Sequence, residues 1–223
     1  MSEKGMSFGA VGTDVHEKIN WERLRKERYG KALNKLKESG LGALLLMYEE
    51  NIRYVTATHG PMWTRDKPGL RYALLLRDGN IVHYEQGDNR YHTMRECPWL
   101  SKDDVKYAYA IWIKGASGPA TDHQANKFAV DIKKVLKEHG VIDLPLGVDF
   151  VDLNMIKSFQ ENTISYTEGK TAMHEARAVK TKDEIECSRM AAAIADGMHY
   201  EVSQMLRPGI TENKVIARLM DVA

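Results

Sequence analysis

The last quarter of the chain opens with Ala176-Arg-Ala-Val-Lys-Thr-Lys-Asp-Glu-Ile-Glu-Cys187. Thr181, followed three residues later by Glu184, has the pattern of a capping box, in which each side chain accepts a hydrogen bond from the other residue's backbone. The pattern predicts that a helix begins after Thr181. Apolar residues then recur at steps of three and four, which places them on one face of that helix. They are Cys187, Ala191, Ile194, Met198, Val202 and Met205.

This helix is predicted to end at Pro208-Gly209, because proline lacks the backbone N–H that a helix interior needs. A second helix is predicted after Thr211, and the sequence finishes inside it without a capping signal. We therefore expect the two helices to open a domain whose remainder lies beyond Ala223. We also expect the apolar face of the second helix to be exposed unless another chain covers it. That face consists of Val215, Ile216, Leu219 and Met220.

Three runs in this quarter carry a resemblance: Arg-x-x-Lys-Thr-x-x-Glu-Ile, an alanine-rich helix, and Leu-x-Pro-Gly-Ile-Thr-Glu. In this order they resemble the start of the catalytic domain of the pita-bread metallohydrolases. That family includes aminopeptidase P, prolidase (Xaa-Pro dipeptidase), creatinase and a dimethylsulfoniopropionate lyase. Two ordinary amphipathic helices joined by a Pro-Gly turn are the alternative. The matching residues are Arg177, Lys180, Thr181, Glu184, Ile185, Ala192, Leu206, Pro208, Gly209, Thr211 and Glu212.

The composition is that of an ordinary globular protein. The 223 residues are 43% hydrophobic and 28% charged, with a net charge of +1. This balance gives no support for nucleic acid or an acidic membrane as a partner. Two cysteines are too few for a disulfide framework, and no apolar run is long enough to span a membrane. With no signal-peptide core at the N-terminus, we expect a cytoplasmic protein.

The middle of the chain predicts a mixed α/β sheet with flanking helices. Leu41 to Met47 is continuously apolar, as in a central strand buried on both faces. Asp78-Gly79 between two apolar runs predicts a hairpin. The predicted helices are 21–39, 121–138 and 149–160, and the predicted strands are 41–47, 72–76, 81–85, 105–113, 146–148 and 163–166.

A second resemblance lies in Asn51-Ile-Arg-Tyr-Val-Thr56, which is similar to the N-terminal domain of the same family. The tryptophan-bearing segment before Arg71-Tyr-Ala-Leu-Leu75 looks closest to the dimethylsulfoniopropionate lyase branch. The resemblance implies a creatinase-type N-terminal domain with a ribonuclease H-like sheet, followed by the first helices of a pita-bread domain. We expect an N-terminal arm over residues 1–20, the creatinase-type domain over 21–170, and an incomplete pita-bread domain over 171–223.

The segment from His59 to Asp66 is the strongest candidate site, because loops on a rigid scaffold carry function. In dimers of the family, the N-terminal domain lends a loop from this region to the partner's active site. The resemblance thus assigns substrate contact to His59, Trp63 and Arg65. A tryptophan face binds cations, and an arginine binds carboxylates. A surface loop with Trp63 packed against its own domain or a dimer contact is the alternative.

The resemblance implies two divalent metal ions in a complete enzyme, held by carboxylates and a histidine downstream of Glu212. None of those motifs can be placed here, so no metal ligand and no catalytic residue is assigned. Asp196 and His199 share a helix face near Glu201, but a solvated face explains them better. A structural thiol likewise explains Cys97 better than a nucleophile does. Glu49 and Glu50 are expected to be a solvated pair.

The first functional hypothesis is the N-terminal portion of a metal-dependent Xaa-Pro peptidase-like hydrolase, which supplies dimerisation and substrate-access surfaces. A lyase-like member acting on a small zwitterion is an alternative, as is a non-catalytic binding or oligomerisation module of the same fold. A split gene product completed by another chain is also open. The expected partners are a second copy or a completing C-terminal half, and a small peptide or zwitterion as substrate.

Overall fold

The computed structural model describes residues 19–61, 67–109 and 117–222. Residues 25–179 form one unit, and the described residues up to Leu24 belong with those from Lys180 onward to another. The helices are α1 (Trp21–Glu38), α2 (Glu49–Thr56), α3 (Asn89–Glu96), α4 (Thr121–Glu138), α5 (Leu153–Glu161), α6 (Lys170–Ala178), α7 (Lys182–Met205) and α8 (Glu212–Val222). The strands are β1 (Ala43–Leu46), β2 (Tyr72–Leu76), β3 (Ile81–Glu85), β4 (Val105–Tyr107), β5 (Leu146–Val148) and β6 (Tyr166–Glu168).

The six strands form one mixed sheet in the order β4-β3-β2-β1-β5-β6. Strand β1 is antiparallel to β2 and parallel to β5. The pair β2/β3 is antiparallel, whereas β3/β4 and β5/β6 are parallel. The predicted mixed α/β sheet with flanking helices is therefore confirmed. All four residues of β1 are buried, as expected for a central strand.

Helices cover both faces of this sheet. Alternate residues of β1 point to opposite sides, because side chains alternate along a strand. On one side Leu45 packs in a core with Phe128 of α4 and Phe159 of α5. On the other side Leu44 packs in a core with α1, α2 and α6. At about 25 cal/mol per Å² of buried apolar surface, these two cores supply the main stabilisation of the unit.

Local signals fixed most of the element boundaries. Helix α4 has the predicted bounds, and Gly79 has the positive φ of +100° that its tight hairpin requires. Helix α5 begins later than predicted, because Asp152 caps it by accepting a hydrogen bond from Met155 N at 2.7 Å. Strand β6 also begins later, because Thr163 has a φ of +53° in the turn that follows α5. Helices α3 and α6 were not predicted.

The second unit contains α7 and α8. The capping box of Thr181 and Glu184 is present at the start of α7, as predicted. Asp183 is fully buried and accepts two hydrogen bonds from the guanidinium of Arg23, at 2.7 and 2.8 Å. On α8, Ile216 is 48% exposed and Met220 is 75% exposed, as predicted for the apolar face of that helix. Val215 and Leu219 on the same face are half-buried.

Candidate functional site

The two motifs that carry the family resemblance meet in the structure. Arg177 donates a hydrogen bond from Nη1 to Oδ1 of Asn51 at 3.0 Å, although 126 residues separate them. One turn along α2, the hydroxyl of Tyr54 donates to the backbone oxygen of Ala176 at 3.0 Å. The runs Asn51-Ile-Arg-Tyr and Ala176-Arg177 therefore form one interface between α2 and α6. Their residue types are explained by this contact as well as by any function.

Asn51 extends this interface to a buried carboxylate at the end of β5. Its Nδ2 donates to Oδ2 of Asp149 at 2.9 Å. The backbone N–H groups of Met47 and Tyr48, which follow β1, donate to Oδ1 and Oδ2 of Asp149 at 2.7 and 3.3 Å. Burial nevertheless raises the pKa of Asp149 to about 6, because desolvation outweighs the three hydrogen bonds. These residues are called the Asp149 cluster below.

A second buried polar group lies where α2, β2 and β3 approach each other. Arg71, which precedes β2, is 2% exposed. Its Nε and Nη2 donate to Oε1 of Glu85 at 3.1 and 2.6 Å, and its Nη1 donates to Oε1 of Glu49. Nη2 also donates to the hydroxyl of Thr58. Such a charge-assisted network is strong only when its members are hydrogen-bonded in this way. The Arg71 cluster consists of Glu49, Thr58, Arg71, His83, Glu85 and Thr93.

Glu85 is the acceptor at the centre of the Arg71 cluster. Besides Arg71, its Oε1 accepts a hydrogen bond from the hydroxyl of Thr93 at 3.1 Å and lies 2.8 Å from Nε2 of His83. Burial opposes the ionisation of Glu85, but the contacts with His83 and Arg71 outweigh it and lower the pKa of Glu85 to about 2. Glu85 is therefore a carboxylate at neutral pH.

The tautomer of His83 follows from this geometry. Burial lowers the pKa of His83, so the fully buried ring is neutral at pH 7. Its Nε2 carries the proton, because an unprotonated nitrogen would face the carboxylate of Glu85 at 2.8 Å. That assignment leaves Nδ1 of His83 as a bare acceptor. Among the described residues, neither Nδ1 of His83 nor Oε2 of Glu85 has a hydrogen-bond partner.

The Arg71 cluster fixes the segment that follows α2. The backbone N–H of Gly60 donates to Oε1 of Glu49 at 3.0 Å, and Thr58 accepts from Arg71. Trp99 donates from Nε1 to the backbone oxygen of Thr56 at 2.7 Å, and Arg25 lies 4.6 Å above its ring. The expectation of a solvated Glu49-Glu50 pair is thus wrong for Glu49, because Arg71 draws it into the buried network.

His59 is the one predicted substrate-contact residue that the described ranges include. It is exposed, between the fixed residues Thr58 and Gly60. Burial of part of the ring and the positive charge of Arg53 lower the pKa of His59, which is therefore neutral at pH 7. A neutral exposed imidazole can accept or donate a hydrogen bond. Trp63 and Arg65 lie outside the described residues.

The functional importance of Arg71 and Glu85 was not predicted from the sequence. A signal was present: Ile81-Val-His-Tyr-Glu85 places two ionisable residues at alternate positions of an otherwise apolar strand. Alternate positions share one face, so His83 and Glu85 had to be buried together or exposed together. A cation from another element was needed to offset a buried carboxylate. Arg71, immediately before a wholly buried strand, fits that requirement.

Metal binding finds no support in the described part of the chain, where no group of three or more His, Cys, Asp or Glu side chains could hold an ion. Near the helix face of Asp196 and His199, Glu201 accepts hydrogen bonds from Arg218 at 3.0 and 2.5 Å. The residues of this chain therefore do not fit the two-metal site that the resemblance implies. Across the same described ranges, no helix is long and apolar enough to cross a membrane.

Comparison with known proteins supports the resemblance. No family model matches the chain. The chain is 23% identical over 192 residues to dimethylsulfoniopropionate lyase DddP of Roseovarius nubinhibens, covering 83% of this chain and 41% of that protein. It is 20% identical over 197 residues to the ectoine hydrolase of Halomonas elongata, covering 87% of this chain and 47% of that protein. The chain thus spans somewhat less than half the length of these curated relatives.

Solved structures share the fold. An Xaa-Pro dipeptidase from Bacillus anthracis aligns with a TM-score of 0.63 at 17% identity, over 89% of this chain and 48% of that one. A prolidase from Thermococcus sibiricus aligns with a TM-score of 0.63 at 19% identity, over 89% of this chain and 49% of that one. The chain therefore has the prolidase/creatinase-type fold. The resemblance to the N-terminal half of the pita-bread metallohydrolases is confirmed.

Proposed function

We propose that this chain is the N-terminal portion of a metal-dependent enzyme of the pita-bread type that acts on a small zwitterionic molecule. The observation that carries the proposal is the Arg71 cluster, which fixes Thr58 and Gly60 and so holds His59 at the surface. A buried ion-pair network is a costly way to anchor a loop for stability alone. It is understandable where the adjoining segment must present side chains to a ligand in one geometry.

The zwitterion is favoured by the relatives that the sequence matches. They are named for dimethylsulfoniopropionate and for ectoine, each of which carries a positive centre and a carboxylate. We assign the cationic end to the ring of Trp63 and the carboxylate to Arg65, with His59 as a hydrogen-bonding group. In a homodimer these residues would serve the partner's active site.

The chemical step is assigned to residues outside this chain. Two divalent ions would polarise the substrate or activate a water, and their ligands would lie beyond Ala223. The role of residues 21–170 would be to form the creatinase-type domain, and residues 171–223 would begin the pita-bread domain. We expect the 223-residue chain alone to be inactive. We further expect the complete protein to be cytoplasmic.

An Xaa-Pro peptidase is the second candidate. Prolidases and an Xaa-Pro dipeptidase share the fold over most of this chain. A likeness in fold carries less weight for the substrate than a match in sequence does, because one fold supports several reactions. A non-catalytic module of the same fold remains a third hypothesis, which predicts neither metal nor turnover.

The test starts from the protein encoded by the whole reading frame, with its mass and metal content measured. We expect a product that extends beyond Ala223, about two divalent ions per chain, and turnover of dimethylsulfoniopropionate or ectoine. Turnover of an Xaa-Pro dipeptide alone would favour the second candidate. A native product that ends at Ala223 and holds no metal would contradict the enzyme altogether.

The assigned substrate contact has its own test in that complete protein. Trp63→Ala should raise KM at least tenfold, because the cation loses its aromatic partner. Trp21→Ala is the matched control, since Trp21 is 51% exposed on α1 and far along the chain from the segment. Equal substrate affinity and turnover in Trp63→Ala and the unsubstituted enzyme would exclude the proposed contact.

A further inference from the structure

The connections that follow β1 and β5 leave the sheet on opposite sides. Strands β1 and β5 are parallel neighbours. Helix α2 follows β1 and contributes Ile52 and Val55 to the core on one face. Helix α5 follows β5 and contributes Met155 and Phe159 to the core on the other face. This arrangement is a topological switch point, and in open α/β sheets ligands bind outside the carboxyl ends of the strands at such a point.

Two aromatic rings lie at this switch point. Tyr48 follows β1 and Phe150 follows β5, and their ring centroids are 6.0 Å apart in an edge-to-face arrangement. Both side chains are half-buried. Between them Asp149 is 1% exposed, and both of its oxygens are occupied by donors from Met47, Tyr48 and Asn51. Asp149 therefore does not bind a ligand itself but fixes the backbone that carries both rings.

A cation faces the first of these rings. The ammonium of Lys170, at the start of α6, lies 5.2 Å from the centroid of the Tyr48 ring. Gly169 makes this approach possible: a Cβ there would lie 2.7 Å from the backbone carbon of Gly147, so only glycine lets the turn after β6 come so close to β5. Lys170 is exposed, and within the described ranges no carboxylate forms an ion pair with it.

Apolar surface continues from the aromatic pair. Val151 is 38% exposed and Leu153, the first residue of α5, is 83% exposed. An isolated exposed apolar residue needs no explanation, but this pair follows Phe150 directly in the chain. Tyr48, Phe150, Val151, Leu153 and Lys170 are called the switch-point surface. It combines an apolar floor with one cation, as sites for small ligands commonly do.

The charges around the switch-point surface restrict the ligand. Glu50 is exposed and close enough to Asp149 to raise its pKa by charge repulsion. A second negative charge on a ligand would therefore meet repulsion. The carboxylate of Glu168 is engaged by the backbone N–H of Thr171 at 3.0 Å, so it does not neutralise Lys170 through a close contact. A single negative charge next to an apolar body matches these features.

We propose that the switch-point surface binds a small apolar monocarboxylate, with its carboxylate paired to Lys170 and its apolar body on Tyr48, Phe150 and Leu153. An exposed ammonium gains little from one ion pair, so the affinity must come mainly from the apolar contact. The site is independent of the proposed function, because it needs no metal and no residue beyond Ala223.

The full 223-residue chain, labelled with ¹⁵N, is titrated with phenylacetate and with its cationic counterpart phenethylamine. We expect phenylacetate at millimolar concentration to shift the amide signals of Tyr48, Phe150 and Lys170, and phenethylamine to have at least a fivefold weaker effect. Equal shifts with both probes, or shifts with neither, would overturn the proposal. Shifts confined to other residues would overturn it as well.

Two variants locate the binding. Lys170→Gln should weaken phenylacetate binding at least fivefold, whereas Lys137→Gln, an exposed lysine near the end of α4, should leave it unchanged. Leu153→Ser should weaken it about threefold, and because Leu153 is 83% exposed this variant should fold normally. Unchanged affinity in both Lys170→Gln and Leu153→Ser would refute the site.

Discussion

The Arg71 cluster and the Asp149 cluster bury charge in the same unit of the protein by opposite means. Glu85 is paired with a cation, and its pKa falls to about 2. Asp149 has three neutral donors and no cation in hydrogen-bond contact, and burial raises its pKa to about 6. Hydrogen bonds from neutral groups thus offset the desolvation of a carboxylate less well than a guanidinium does. Both clusters hold backbone amides, so both anchor chain segments.

Removing the cation should break the Arg71 cluster with the largest effect. Arg71→Met keeps the apolar stem of the side chain but leaves Glu85 and Glu49 without their partner. Breaking a buried ion pair in this way costs about 3–5 kcal/mol. Urea unfolding of Arg71→Met should show this loss in the free energy of unfolding, whereas Arg95→Met on the exposed side of α3 should change it by less than about 0.5 kcal/mol. Equal stability of the two variants would contradict a buried charge network.

The lowered pKa of Glu85 predicts a loss of stability in acid. A depressed pKa contributes stability that is present above pH 4.5 and disappears as the pH falls towards 2. The shift from 4.5 to about 2 corresponds to about 3 kcal/mol. Glu85→Gln should remove this part of the pH dependence. The measurement is the difference in unfolding free energy between the unsubstituted chain and Glu85→Gln, from pH 5 to pH 2. A constant difference over that range would contradict the assignment.

The raised pKa of Asp149 predicts the opposite sign. Its contribution is fully present below about pH 4 and is lost as the pH rises through about 6, because the folded protein binds the proton more tightly than the unfolded chain does. The shift again corresponds to about 3 kcal/mol. In Asp149→Asn this decline between pH 4 and 7 should be absent. If Asp149→Asn and the unsubstituted chain lose stability in parallel over that range, desolvation does not dominate at Asp149.

A smaller change sharpens the comparison by removing one neutral donor from the Arg71 cluster. Thr93→Val keeps the shape of a buried side chain but loses the hydroxyl that donates to Glu85. We expect a loss of about 1 kcal/mol, the usual net value of one hydrogen bond. Thr167→Val on the exposed edge strand β6 is the control and should be nearly neutral. A loss as large as that of Arg71→Met would mean that the hydroxyl, rather than the cation, stabilises Glu85.

Patterns that act over a few residues were readable from the sequence. The capping box at Thr181, the hairpin glycine Gly79 and the amphipathic face of α4 each depend on neighbours within four positions, and each is confirmed. Helix α3 was missed because its residues are mostly polar and only Thr93 is buried. Such a helix has no apolar period to detect.

The polar clusters depend on contacts across the fold and so could not be predicted in detail. Asp149 meets Asn51 across 98 residues, and Arg177 meets Asn51 across 126. The sequence motifs around Asn51 and Arg177 indicated a family but not their mutual contact. His59 was predicted as a site residue because of its loop, whereas the buried Arg71 that holds this loop in place was passed over. No finding tests the predicted substrate contact of His59, Trp63 and Arg65.

The central claim is that the Arg71 cluster specifically holds the segment around His59. Amide hydrogen exchange tests it in Arg71→Lys, where a lysine can keep one ion pair but not the full set of hydrogen bonds. The Gly60 amide, bound by Glu49, should exchange at least tenfold faster than in the unsubstituted chain. The Tyr48 amide, bound by Asp149, should keep its protection to within about twofold. An equal increase at Gly60 and Tyr48, or no increase at Gly60, would contradict the claim.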